Sequence, residues 1–409
     1  MQKTILLINP PSPFLIFQSA FPPLGLLYLA ASLEEWGHDV KVLDLGLGAR
    51  VQESNEPDVI GITALTSHLP WLRKWMPIIR ELHPKAKIVV GGAHFTNVPN
   101  DAWKLGVDEV CVGDGEWAIL NAVMLKRVPE RRGTINVDEW PKPARHLIDL
   151  HEYEYTIDGE RATPILTSRG CPFQCSFCSR GMGAFPARYQ SLKRVEEELN
   201  EIRELGFGAV MDYSDELNLS TERLRDLCAV YGRTGLKWRC FVRSNLFTAE
   251  QAELLAGGGC VEVCCGVESG SDRILETVRK RATVADATRF VKLCREAGLA
   301  CKTFFIIGLP GETEETALET KRWIMENRPD GFDVATFTPY PGSHIHDHPE
   351  EYDIQIHESY WNTEYFHKGI PGKYQVVVST SGLSRDRISE LRDEIETECR
   401  QALGLEGLV

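Results

Sequence analysis

Along the first 125 residues, short runs of consecutive apolar residues alternate with stretches whose apolar positions recur at helical spacing. Thr4 to Ile8, Asp39 to Leu43, Asp58 to Ile62, Lys87 to Val90 and Glu109 to Val112 have the length and continuity of strands covered on both faces. Between them, positions such as Leu24, Leu27 and Ala31 mark helices. This alternation predicts an α/β domain over residues 1–125, a doubly wound, Rossmann-like parallel sheet with its ligand crevice at the carboxyl ends of the strands. The loops expected there are Asn9-Pro10-Pro11, Thr63 to Ser67, Gly91-Gly92 and Gly113 to Glu116.

Residues 126–160 carry Arg127, Pro129, Arg131, Arg132, Pro141 and Pro143 without sustained periodicity, and read as a linker wrapping the surface. A second strand and helix series follows over 161–340. Its strands are Pro164 to Thr167, Ala209 to Met211, Lys237 to Val242, Val261 to Val267, Cys301 to Ile307 and Asp333 to Thr338. The helix from about Ser191 places Leu192, Val195, Leu199 and Ile202 on one face and stops at Gly206. Thr248 to Gln251 matches a capping box, and Thr283 can cap the helix that ends at Gly298. Six such units predict a partial (β/α)6 barrel with functional groups at the carboxyl ends of its strands. Residues 341–409 form a small α-rich region on the substrate side. It follows Tyr340 with a stretch rich in histidine and aromatic residues (His344, His346, His348, Tyr352, Tyr360, Trp361, Tyr365, Phe366, His367), then an amphipathic helix from about Ser384. Tyr340, Trp361 and Phe366 line a pocket for an apolar or planar moiety, or else belong to the core.

A formal net charge of −14 argues against nucleic acid as a partner, since phosphate binding draws on clustered Lys and Arg. No apolar run reaches the length of a signal-peptide core or a membrane span, and a cytoplasmic location is expected. Twelve cysteines in that setting read as thiols and metal ligands rather than disulfides. Cys264, Cys265 and Cys294 sit in apolar or helical patterns and are expected in the core.

Directly after the first barrel strand stands Thr167-Ser168-Arg169-Gly170-Cys171-Pro172-Phe173-Gln174-Cys175-Ser176-Phe177-Cys178. Three thiolates on one loop can each take one iron of a cubane cluster and leave the fourth open. A structural zinc site wants four ligands, and no second C-x2-C pair exists in the chain.

With Cys171, Cys175, Phe177 and Cys178, this segment resembles the C-x3-C-x-aromatic-C signature of the radical S-adenosylmethionine (SAM) superfamily. The resemblance implies a four-iron four-sulfur cluster whose open iron is chelated by SAM, and a 5′-deoxyadenosyl radical that takes hydrogen from a small-molecule substrate. It places Phe177 at the adenine and Asp215 or Glu216 at the methionine amine, unless that acidic segment is a solvated turn. Ser214 and Leu217 depart from the family's usual residues there. Arg243 either supplies a cation for the SAM carboxylate or forms a surface salt bridge. Glu268 and Ser269 fall in the ribose-contacting segment, and Ile306 and Gly308 in the adenine-flanking strand.

The order of the two units, with Pro23-Leu24-Gly25-Leu26, Gly61-Ile62-Thr63, Val90 to His94 and Gly113 to Glu116, resembles the cobalamin-binding subfamily. The implied cobalamin contacts are Leu24, Gly25, Thr63, Thr66, Ser67, Gly91, Gly92, Gly113, Gly115 and Glu116. No Asp-x-His-x-x-Gly follows the first strand, so a lower-ligand histidine is not expected. His68 and His94 read as satisfied loop histidines, and His344, His346 and His348 as solvated ones. The implied function is methylation of an unactivated carbon or phosphorus, with an electron from a donor such as flavodoxin or ferredoxin. The alternatives are rearrangement or cyclisation with the same cofactors, a vestigial cobalamin domain, or a cobalamin sensor or carrier.

Overall fold

The computed structural model describes residues 2–13, 15, 17–51, 56–124, 136–179, 186–361 and 374–405. Strands β1 (Thr4–Asn9), β2 (Asp39–Asp44), β3 (Val59–Thr63), β4 (Lys87–Gly91) and β5 (Glu109–Val110) form a sheet in the order β2-β1-β3-β4-β5. All neighbours run parallel. Ile5 and Leu7 pack with Leu26, Leu33 and Ile119 on one face, while Leu6 and Ile8 pack with Leu72 and Ile79 on the other. Both faces are therefore covered, which is why these strands read as unbroken apolar runs. The chain winds one way from β1 to β2 and the other way from β1 to β3, and the crevice of such sheets opens at that switch.

The second sheet is built from β6 (Thr156–Ile157), β7 (Glu160–Ile165), β10 (Ala209–Asp212), β11 (Lys237–Val242), β12 (Cys260–Glu268), β13 (Ala300–Ile307) and β14 (Gly331–Thr336). Its order is β14-β13-β12-β11-β10-β7-β6. From β7 to β14 the pairing is parallel. β6 adds an antiparallel edge. Outside this sheet, β8 (Ser168–Arg169) and β9 (Arg188–Tyr189) pair antiparallel across the cysteine-bearing segment. The helix Leu192–Glu204 buries Val195, Leu199 and Ile202 against the sheet and is capped by the Ser191 hydroxyl, which accepts from the Arg194 amide. Thr283 forms a full capping box with Asp286. At Thr248 only half of the expected box forms, because the Gln251 side chain turns to Asn218 and Thr221 instead.

The segment between the sheets departs from the surface linker expected of it. Trp140, Ala144, Arg145 and Tyr153 are buried, Arg145 is ion-paired to Glu198 at 2.8 Å, and Tyr153 donates to Asp44 at 2.9 Å. These two side chains are tied to groups in the two sheet units, which periodicity does not reveal. Arg127, Pro129, Arg131 and Arg132 lie outside the described residues. Near the C-terminus, the helix Arg385–Leu403 buries Ile388, Leu391 and Ile395, and Arg392 donates to the Val334 carbonyl at 2.9 Å. Tyr360 reaches the first unit and donates to Asp101 at 2.8 Å. Tyr365, Phe366 and His367 lie outside the described residues. No helix among the described residues is long and apolar enough to cross a membrane.

Candidate functional site

The cysteine loop is pinned where it leaves the sheet. Asp212, at the end of β10, accepts from Thr167 Oγ1 at 2.7 Å, Tyr231 OH at 3.1 Å, the Ser214 amide at 3.0 Å and Ser214 Oγ at 2.6 Å. The Ser214 hydroxyl in turn accepts from the Thr167 and Ser168 amides at 3.2 and 2.9 Å. Ser214 thus ties the end of β10 to the root of the loop. Gly170, at φ +98°, donates to Asp215 at 2.7 Å. The Ser176 amide then donates to the Val278 carbonyl at 2.9 Å, and its carbonyl accepts from Ile345 at 3.0 Å.

All three thiols line one cavity of about 450 Å³ at the carboxyl ends of the barrel strands, together with Phe177, Asp215, Glu216, Arg243 and Glu268. Burial raises the Cys171 thiol and lifts Cys178 to about 11, the neighbouring cysteines adding to the shift. Three thiols converging on one cavity are a donor set a cationic metal centre would stabilise as thiolates. Glu216 is buried, one of its carboxylate oxygens has no hydrogen-bond partner, and burial pushes it up to about 8. That orphaned oxygen fits a cationic donor such as the SAM amine.

Arg243 lines the cavity and is also tied to the cysteine loop. Its guanidinium stacks on the Phe173 ring at 3.7 Å, donates to Asn245 at 3.2 Å and to the Lys280 carbonyl, and lies 3.6 Å from the Cys175 sulfur. It therefore clamps the cysteine loop, with three of its five N–H donors engaged, and a second cation, Lys280, stands on the same cavity wall. An ammonium has three donors, of which Glu268 takes one at 2.6 Å. Burial opposes the Lys280 charge, but Glu268 and neighbouring groups more than offset it and raise its pKa. Glu268 is held at φ +69°, beside a register shift between β12 and β13, a strained conformation of the kind that collects at functional sites. Reading the sequence missed Lys280, which sits in a run with Arg279 and Arg281 and looks solvated. Ser269, Ile306 and Gly308 do not line the cavity. Ser269 accepts from the Ser271 amide, and Gly308 donates to Glu312.

The first sheet carries a different kind of site. Gly61, Thr63, Gly91, Gly92, Gly113 and Gly115 line a narrow slot of about 40 Å³ at the carboxyl side of β3 and β4. A Cβ at Gly91 would lie 3.1 Å from Cys111, and one at Gly92 2.6 Å from the Ala64 carbonyl. The slot is thus kept open by missing side chains, and backbone can approach a bound group closely, a cradle of the kind that the edge of a corrinoid's nucleotide tail would enter. Leu24, Gly25, Thr66, Ser67 and Glu116 stand outside the slot lining. Leu24 is buried at the start of its helix, and Gly25 faces open space. Thr66 bonds His94 at 3.0 Å, Ser67 is buried, and Glu116 is held by Arg169 at 2.6 Å. His68 accepts from the Leu65 amide at 3.1 Å. Burial lowers both His68 and His94 to about 4, so both are neutral. His344 bonds Tyr352, His346 bonds Asp347, and His348 sits beside Glu350 and Glu351 on the exposed surface.

Comparison with known proteins agrees with these two sites. Residues 17–123 match the B12 binding domain, and residues 165–324 match the radical SAM superfamily. The chain is 32% identical over 380 residues to an uncharacterised methyltransferase of Pyrococcus horikoshii, spanning 83% of this chain and 82% of that protein. It is 26% identical to the anaerobic magnesium-protoporphyrin IX monomethyl ester cyclase of Rubrivivax gelatinosus, over 80% of this chain and 66% of that one. Its fold superimposes on the radical SAM methyltransferase TsrM of Kitasatospora setae with a TM-score of 0.71, at 20% identity, covering 98% of this chain and 89% of the other. The chain belongs to the cobalamin-binding radical SAM enzymes, whose cofactors are a four-iron four-sulfur cluster, SAM and cobalamin.

Proposed function

We propose that the protein transfers a methyl group from SAM, by way of cobalamin, to an unactivated carbon or phosphorus of a small molecule. The observation that carries this reading is how close the two sites lie. The turn from Gly113 to Glu116 walls the slot and is ion-paired to Arg169, two residues before Cys171. Bound together, the cluster and SAM supply a hydrogen-abstracting radical and cobalamin supplies the methyl group. The chain's own part is holding and aiming. Cys171, Cys175 and Cys178 hold three irons, Glu216 takes the SAM amine, and Lys280, set by Glu268, takes the carboxylate. Phe177 packs on the adenine, while Tyr213, Phe241 and Phe304 give the cavity apolar wall. Orientation of this kind contributes ~7 to 11 kcal/mol to a reaction between held groups. The electron comes from a reduced flavodoxin or ferredoxin, in the cytoplasm.

A second reading, cyclisation with the same cofactors, is favoured by the likeness to the Rubrivivax gelatinosus cyclase. One experiment separates the two. Anaerobically reconstituted protein is given SAM with a labelled methyl group, and the products are followed by mass spectrometry. Methyl transfer yields labelled product with S-adenosylhomocysteine and 5′-deoxyadenosine in about equal amounts. Deoxyadenosine without S-adenosylhomocysteine replaces the first reading by the second.

A further inference from the structure

We propose that Asp114 and Glu116 are positioning residues for the cluster loop, coupling occupancy of the glycine-lined slot to the geometry of Cys171, Cys175 and Cys178. The cysteine-bearing segment runs between β8 and β9, whose register sets Arg169 directly opposite Arg188. Like charges at that spacing repel. The two side chains are only 17% and 10% exposed, so water does little to relieve the repulsion.

The compensating charges come from the other sheet. Arg169 bonds Glu116 at 2.6 Å and lies 3.5 Å from Asp114, while Arg188 makes two bonds to Asp114 at 2.5 and 3.1 Å. Two acids and two arginines form one buried quartet, and the paired Arg188–Asp114 contact fixes direction as well as distance. The Tyr28 ring backs Arg169 at 5.2 Å. The hairpin carrying the cysteines therefore closes on charges supplied by the first unit.

Those same two acids flank Gly115, which with Gly113 walls the slot. Gly113 sits at φ +81°, and a Cβ on Gly115 would fall 2.9 Å from the Leu29 side chain, so the turn has little room to move on that side. A group seated in the slot touches this turn, and the turn holds the residue two positions before Cys171. A clasp that merely stabilised the fold would be indifferent to the slot's contents. Coupling demands instead that loading the cluster change the affinity for cobalamin.

The test is equilibrium dialysis of hydroxocobalamin, without oxygen, against cluster-loaded protein and against the cluster-free C171A/C175A/C178A protein. The loaded protein should bind about tenfold more tightly, within the usual range of such couplings, and Asp114→Asn with Glu116→Gln should narrow the ratio to below about threefold. Asp114→Asn alone keeps the Glu116–Arg169 bond. It should give an intermediate ratio, and it serves if the double variant fails to fold. As a second readout, the electron paramagnetic resonance signal of the reduced cluster should change on adding cobalamin in the unmodified protein and not in the double variant. A ratio near one in the unmodified protein, or an undiminished ratio in the variants, overturns the proposal. Absence of any cobalamin binding overturns the cobalamin reading of the slot, and this proposal with it.

Discussion

Removing the Glu198 carboxylate should be among the most damaging single changes in the chain. Glu198 and Arg145 are 0% and 1% exposed at their side chains and 2.8 Å apart. Arg145 keeps one other bond, from Nη2 to the Pro164 carbonyl at 2.9 Å, while its Nε and Nη1 have no partner. In Glu198→Ala the guanidinium would stay buried with a single acceptor, and Tyr28 would lose its 3.4 Å contact to the second carboxylate oxygen. Breaking a buried pair from one side costs ~3–5 kcal/mol, a large part of the ~5–15 kcal/mol that holds a domain folded. Replacing both partners by apolar residues of similar size leaves no stranded charge, so Arg145→Met with Glu198→Leu should fall within ~2 kcal/mol of the unmodified protein. Urea denaturation of the apoproteins carrying Arg145→Met, Glu198→Leu and both together, scored with the unmodified protein in one cycle, gives the coupling energy directly. The reasoning fails if Glu198→Ala costs less than ~1 kcal/mol, or if the double variant is no more stable than the single one.

Replacing Cys171, Cys175 and Cys178 together by Ala should abolish the cluster's visible absorption and SAM cleavage, and unchanged iron content would contradict the ligand assignment. The cob(II)alamin form of the bound cofactor should show no nitrogen superhyperfine splitting from an axial histidine, because His68 and His94 are buried and neither lines the slot. Glu312 is fully buried, and burial lifts its carboxyl from 4.5 to about 8. The folded chain thus holds a proton that the unfolded chain has released, so this group's stabilisation is complete below pH 4.5 and is lost as pH rises through about 8. Glu312→Gln should accordingly reduce the fall in urea midpoint between about pH 5 and 8, and an identical slope in the variant counts against it. Gly91→Val should remove cobalamin binding while iron content stays as it was; retained binding would show that the slot is not where the cofactor sits.

Much of this was legible because parallel sheets leave a simple signature. Ile5 to Ile8 are apolar without alternation because both sides are covered, and each strand's end marked a loop of interest. The cysteine loop was equally plain, since its chemistry is local in sequence. What escaped was non-local. Lys280 faces the cavity because Arg279 and Arg281, on either side, adopt left-handed backbone at φ 54° and 53°, a turn no charge pattern predicts. Arg243, a candidate for the SAM carboxylate, lines the cavity but also clamps the loop through Phe173 and Cys175, a second role that its place after a strand does not reveal. One local signal was overlooked. Asp158 and Gly159, at φ 47° and 78°, are the Asp-Gly pair of a tight hairpin turn, and they add the antiparallel β6 to an otherwise parallel sheet.

The two cofactor sites are built from opposite materials, and this decides which residues say whether the slot is in use. On the proposed function the barrel cavity works through groups present, namely Glu216, Glu268 and Lys280, and would be lost when one of them is removed. The slot works through groups absent and is lost when a side chain is added. A glycine there counts as evidence only if the fold does not already require it. Gly92 is required, since its φ of +100° and its 2.6 Å approach to the Ala64 carbonyl exclude other residues whether or not anything binds. Gly61 is required as well, because a Cβ would fall 2.7 Å from the Leu7 side chain in the core. Gly91 is different. It has an ordinary φ, and a Cβ would meet only the Cys111 side chain, at 3.1 Å, and the Cys111 carbonyl, at 3.5 Å, a crowding that a shift of a few tenths of an ångström relieves. A chain that had kept the fold and lost the cofactor has little reason to hold glycine there, whereas a slot in use has one: the same Cβ would occupy space the bound group needs.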